Sequence, residues 1–216
     1  VSRFVVSAAD SSVVVTRDFK DRLEEAIDDN AAKFNYTDAE GNEYRVSACV
    51  IDAMGAPGRT KQVYAWCAQQ GGRAMPFKGE QKMATPVSYS PIEFFPDAKG
   101  SKIKIPGGVL LRRVDTTFFK GDLAEKLSVT PGDPGTFWLH ANTVQQGIGE
   151  MGGILADYAK EMCAEVFNPE KLIWENPHQR PNHFWDCEVM ALVCAWELGI
   201  RNWETPEPEP AHTEPA

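Results

Sequence analysis

"VSACVIDAMGAPGRTKQVYAWCAQQGGRAMPFKG" (residues 46–79) decides the fold. Its opening, "VSACVID", is a short apolar run with Val and Ile, as a central strand covered on both faces requires. The run stops at Asp52. "AMGAPGR" is a loop of Gly and Pro. "TKQVYAWCAQQGG" then reads as a helix, with Thr60 at its N-cap and Gly71 beyond its end. "RAMPFKG" is the next strand. Strand, helix, strand at this spacing predicts a parallel pair joined by a right-handed crossover, and so an α/β protein.

Working outward, "RFVVSAADSSVVV" (3–15) reads as one or two β-branched strands turning at Asp10-Ser11-Ser12. "DFKDRLEEAIDDNAAKF" (18–34) sets Phe19, Leu23, Ala26 and Ile27 on one helical face. "YTDAEGNEYR" (36–45) is expected to be a polar loop. On the other side, residues 79–107, rich in Pro, Gly, Lys and Ser, read as a long excursion. "GVLLRRV" (108–114) is a strand. "TTFFKGDLAEKLSV" (116–129) is a helix capped by Thr116 or Thr117, "PGDPG" a turn, and "TFWLHA" (136–141) a strand. "GGILADYAKEMCAEVF" (152–167) is a helix and "KLIWE" (171–175) a short strand. Asn182 caps a last helix. There are no internal repeats. Residues 1–203 make one domain. The remainder, "ETPEPEPAHTEPA" (204–216), is acidic and proline-rich, hence a disordered or docking tail.

At 216 residues the chain is long enough for one full hydrophobic core. With 43% hydrophobic and 25% charged residues it has the composition of a soluble globular protein. No apolar run approaches the ~20 residues of a membrane span. The start, "VSRFVVSAADSS", lacks the basic and apolar regions of a signal peptide. Five cysteines without a CxxC pair read as reduced thiols, four of them in apolar surroundings, rather than a zinc site. The net charge of −9 argues against non-specific binding of nucleic acid, but not against a local basic surface or an acidic metal site.

The last helix, within "RPNHFWDCEVMALVCAWELGI" (180–200), carries Trp185, Val189, Leu192, Val193 and Trp196 on one stripe. Asp186 lies beside that stripe, one turn before Met190. A helix-dipole acid near an N-terminus usually faces water. Here the helix looks buried all round, and a buried carboxylate needs a partner charge or a metal. Glu188 falls on another face and reads as solvated. Asp52 ends a central strand, where open α/β sheets bind their ligands; it equally suits an Asx turn. Two carboxylates on different elements, without a His or Cys set, suit Mg²⁺ or Mn²⁺. Such ions serve phosphoryl chemistry, two of them bracketing an in-line attack. There is no GxxxxGK[ST] loop and no GxSxG. Among the basic residues, Lys78 at a strand end and Arg180 before the last helix are best placed to meet a phosphate, with His183 beside the helix cap.

These segments, in this order and spacing, resemble the C-terminal nuclease domain of the lambda-type large terminase subunit of tailed phages. "RPNHFWDCEVMALVCAWELGI" carries the resemblance most specifically, through Arg-x-Asn-His-x-x-Asp-Cys. "ACVIDAMGAPGRTKQVYAWC" with "RAMPFKG", and "VDTTFFKGDLAEKLSVTPGDPGTFWLHA", support it across most of residues 44–203. The resemblance implies a ribonuclease H-like fold, a central mixed sheet flanked by helices, with carboxylates at one edge binding two Mg²⁺ or Mn²⁺ ions. It puts catalytic, metal-holding carboxylates at Asp52 and Asp186, and implies cutting of concatemeric double-stranded viral DNA in the host cytoplasm. The implied partners are the small terminase subunit, the portal protein and an ATPase domain that precedes the nuclease in the same polypeptide. Two parts of the family pattern are missing here: the ATPase, and an opening strand with the first catalytic acid, for which Asp10 is a poor substitute. The chain is therefore expected to start inside the nuclease domain. The alternative function is a non-catalytic docking module of the packaging motor, its tail on the portal or a partner subunit.

Overall fold

A computed structural model of the chain describes residues 2–6, 13–17, 35–37, 43–45, 48–54, 60–96, 100–137 and 158–202. The strand–helix–strand unit is present: β5 (Cys49–Asp52), α1 (Thr60–Gln69) and β6 (Ala74–Glu80). β5 and β6 pair in parallel, Cys49 opposite Ala74 and Asp52 opposite Phe77. β6 then pairs in parallel with β8 (Lys102–Asp115), Phe77 opposite Arg112 and Glu80 opposite Asp115. β7 (Val87–Pro96) runs antiparallel to β8 and completes a four-stranded mixed sheet of order β5-β6-β8-β7. Two short hairpins precede it, β1 (Ser2–Val6) with β2 (Val13–Arg17) and β3 (Asn35–Thr37) with β4 (Glu43–Arg45). A third, β9 (Val166–Asn168) with β10 (Ile173–Glu175), follows.

Helices cover both faces of the sheet. α1 contributes Val63, Tyr64, Trp66 and Cys67 to a core with Ile51, Ala53, Ala74 and Leu111. On the other face, α2 (Thr116–Ser128) and α3 (His183–Glu197) bury Phe119, Leu123, Trp185, Val189 and Val193 against Phe77 and Val114. Cys194 packs there on Ala48 and Met75, with Val50 beside them. This division follows the period of two along a strand. Ile51 and Ala53 point to α1; Val50 points to α3, and Asp52 shares its parity.

Several expectations change. The excursion at 79–107 is largely β structure, the β7–β8 hairpin. Its prolines and glycines sit where the ladder tolerates them: the register shifts between Ile92 and Phe94, and Gly107 and Gly108, at φ 79° and 64°, supply the left-handed backbone opposite. Both ends of the polar stretch 36–45 are strand, Tyr36 and Thr37 in β3 pairing with Tyr44 and Glu43 in β4. α2 is capped by Asp115, not by a threonine: its carboxylate accepts from Phe118 N at 3.0 Å. The helix expected over 152–167 is helical at 158–162 and gives way to β9 at Val166. Thr136 and Phe137 are not in a strand. The helix at 18–34, Asp10, residues 138–141 and the tail lie outside the described residues.

Candidate active site

Asp52, the last residue of β5, is exposed at the carboxyl end of the parallel strands, on the α3 side. Its Oδ1 accepts from Met54 N at 2.8 Å, so the Asx turn weighed from the sequence is formed.

Asp186 lies in the first turn of α3. Its Oδ1 is 3.2 Å from the Lys120 ammonium, and Lys120 stands one turn into α2. α2 starts directly after Asp115 at the end of β8, so Asp186 belongs to the same carboxyl edge and the same face of the sheet as Asp52. Its other oxygen, Oδ2, accepts from Asn182 Nδ2 at 3.1 Å. Burial raises the carboxyl above its ordinary range, opposed chiefly by the Lys120 charge and more weakly by His183. Of the side chain, 47% stays open to water.

Glu165 completes the cluster, and sequence reasoning missed it. Lys120 donates to both of its oxygens, at 2.7 and 2.8 Å, and Asn182 Nδ2 donates to Oε1 at 2.6 Å. Only 5% of the Glu165 side chain and 12% of Lys120 remain exposed. Glu165 sits between a helical turn and a strand, where no periodicity marks it. Asn182 holds the N-cap position but makes no side-chain cap. Phe184 N at the helix start instead donates to Glu161 Oε2 at 2.9 Å.

The expected DNA contacts are spread around this edge. Arg180 and His183 are exposed just before and at the start of α3, the Arg180 backbone clasped by the Asn176 amide. Lys78 ends up beside Glu80 at 2.9 Å, a carboxylate that also binds Arg113 at 3.0 Å. By parity it points to the α1 face, opposite Asp52. Glu188 is a correction: it is buried, with Tyr158 OH 3.4 Å from Oε1. Asp115 is buried too, and structural, its second oxygen accepting from Met83 N at 2.8 Å.

Among the described residues no three His, Cys, Asp or Glu side chains gather as metal ligands. What this edge offers a cation is carboxylate oxygen from Asp52 and the half-open Asp186. That fits Mg²⁺ or Mn²⁺, which take one or two carboxylates and leave their other positions to water and substrate phosphate. No helix among the described residues is long and apolar enough to cross a membrane. No match was found among curated proteins or among solved structures. The family model of the terminase large subunit gpA endonuclease domain matches residues 9–205. Spanning nearly the whole chain, that match makes the protein a member of the terminase large-subunit endonuclease domain family.

Proposed function

We propose that the domain is a metal-dependent endonuclease that hydrolyses phosphodiesters of duplex viral DNA during genome packaging, on a ribonuclease H-like fold. The family membership supports the nuclease role in packaging. The observation that carries the site assignment is the common location of Asp52 and Asp186, one ending β5 and the other opening α3, on one face and one edge of the sheet. Asp52 and Asp186 would hold two Mg²⁺ or Mn²⁺ ions. Such ions supply charge neutralisation at phosphorus and activation of the attacking water. The chain's own residues do the rest. The Lys120 ammonium faces the Asp186 carboxylate at 3.2 Å, and Asp52 is oriented by the Met54 amide. Arg180 and His183 would meet the phosphates flanking the cut. The portal protein and the small terminase subunit are the partners this role calls for, with the motor's ATPase supplying translocation.

The test is plasmid cutting with Mg²⁺ or Mn²⁺ by the chain and by the full-length terminase that carries it. Asp52→Asn and Asp186→Asn keep side-chain size and remove charge. Each should lower cutting by at least about 100-fold, the scale of losing an essential charge stabiliser, with an unchanged circular dichroism spectrum. Wild-type cutting by both variants would overturn the assignment of Asp52 and Asp186, whereas no cutting by the unmodified protein would favour a docking module.

A further inference from the structure

We propose that Lys120 and Glu165 are positioning residues that hold the Asp186 carboxylate ready for a divalent cation. The inference rests on the reading of Asp186 given above.

Two donors grip Asp186, and both are tethered to Glu165. The Lys120 ammonium bridges Oδ1 of Asp186 to both oxygens of Glu165. The Asn182 amide bridges Oδ2 of Asp186 to Oε1 of Glu165. Three separate parts of the fold are thereby joined: the second turn of α2, the segment before β9, and the start of α3.

A merely structural Lys–Glu pair would not look like this. Burying two charges is costly, and the pair persists only where the remaining hydrogen-bonding capacity is used. Here that capacity is spent on a third group that is itself half open to solvent. Asn182 points the same way. It stands at the N-cap, yet its amide goes to Glu165 and Asp186, and Glu161 receives the Phe184 amide instead. The arrangement fixes the carboxylate's rotamer while leaving one side of it open at the sheet edge. Partners of this kind orient a ligand without touching the ion, and their loss typically costs about 10–100-fold in metal affinity or activity.

The test is titration calorimetry of the whole chain with Mn²⁺ and no DNA, followed by plasmid cutting. Lys120→Met and Glu165→Gln should each weaken Mn²⁺ binding by about 10–100-fold. Each should lower kcat with little change in the KM for DNA. Lys120→Arg, which keeps a charged donor, should recover most of both. If a single variant fails to fold, the double variant Lys120→Met/Glu165→Gln, which leaves no unpaired charge in the pair, carries the test; it too should bind Mn²⁺ weakly. Wild-type Mn²⁺ affinity in Lys120→Met or in the double variant overturns the proposal. Weak binding by Glu165→Gln alone also overturns it, and makes Glu165 a direct ligand. Asp186→Asn separates the two readings. If it binds Mn²⁺ like the wild type, the assignment of Asp186 falls; if it loses Mn²⁺ while the pair variants do not, only the positioning role falls.

Discussion

Asp186 and Glu188 are two residues apart on α3, so they project to nearly opposite sides of the helix. From the sequence, Asp186 is the buried acid and Glu188 the solvated one. In the fold Glu188 is 3% exposed and Asp186 keeps nearly half its side chain open. The difference arises because helical residues 158–162 cover the second side of α3, bringing Tyr158 to Glu188 and Glu161 to Phe184 N. Side-chain period reports how apolar a face is, not which distant segment will cover it. The cysteines were easier to read. Cys67 and Cys194 are buried and Cys49 is half-buried, but Cys163 is exposed. Burial pushes the Cys49 and Cys67 thiols up to about 12, with the two thiols adding to each other at Cys67, and raises Cys194 as well. A thiol held above its unfolded value of 9.0 binds its proton more tightly when folded. Its stabilising contribution is complete below that value and is lost as pH rises toward 12. Denaturant midpoints should therefore fall across that alkaline window. The Cys49→Ala/Cys67→Ala variant should show a shallower fall, whatever its absolute stability. An identical pH slope in the two proteins would show that these thiols do not drive alkaline unfolding.

At the junction of β6 with α2, the Gly79 backbone meets the Thr116 side chain closely. A Cβ on Gly79 would stand 2.8 Å from Thr116 Cγ2. Thr116 cannot easily yield, because its hydroxyl donates to Glu80 O at 2.9 Å and its β-branched side chain is stiff. Gly79→Ala should cost about 1–3 kcal/mol, the range for overpacking, read as a lowered urea midpoint with an unchanged slope. A midpoint within error of the wild type would mean that the junction has slack. The element-level reading was most successful where one segment carried its own signal. β5, α1 and β6 follow from the apolar run of 49–52, Thr60 and Gly71. β10 and α3 also emerge as expected. The long β7–β8 hairpin was hidden by Pro91, Pro96, Gly107 and Gly108, which read as loop residues in isolation. They are accommodated at a sheet edge and a bulge, features that depend on which strand lies alongside. The site divides in the same way. Asp52 and Asp186 sit on elements the pattern reveals. Glu165 and Lys120 acquire a role only when α2, β9 and α3 meet.

Across the whole molecule, a net charge of −9 must coexist with a polyanionic substrate. Much of the positive charge at the carboxyl edge is already committed: Lys78 and Arg113 to Glu80, Lys120 to Glu165 and Asp186. The shared Glu80 carboxyl is correspondingly lowered, first by Lys78 and then by Arg113. Arg180 stands exposed at the approach to α3. Among the described residues of this edge few phosphates can then be neutralised, and if the edge alone meets DNA, affinity should depend only shallowly on salt. Log affinity falls with log salt by roughly 0.9 per phosphate contacted, so a domain making about three contacts would show a slope near −3. Arg180→Ala should reduce that slope by about one and weaken binding to all sequences alike. Lys78→Ala should change it less, because its charge is already shared with Glu80. Binding isotherms on duplex DNA at several salt concentrations, in the Asp186→Asn background that the proposed role of Asp186 makes unable to cut, measure both slopes. A larger change for Lys78→Ala than for Arg180→Ala would place the DNA on the α1 side of the sheet, away from Asp52, and would redraw the path of the substrate across the domain.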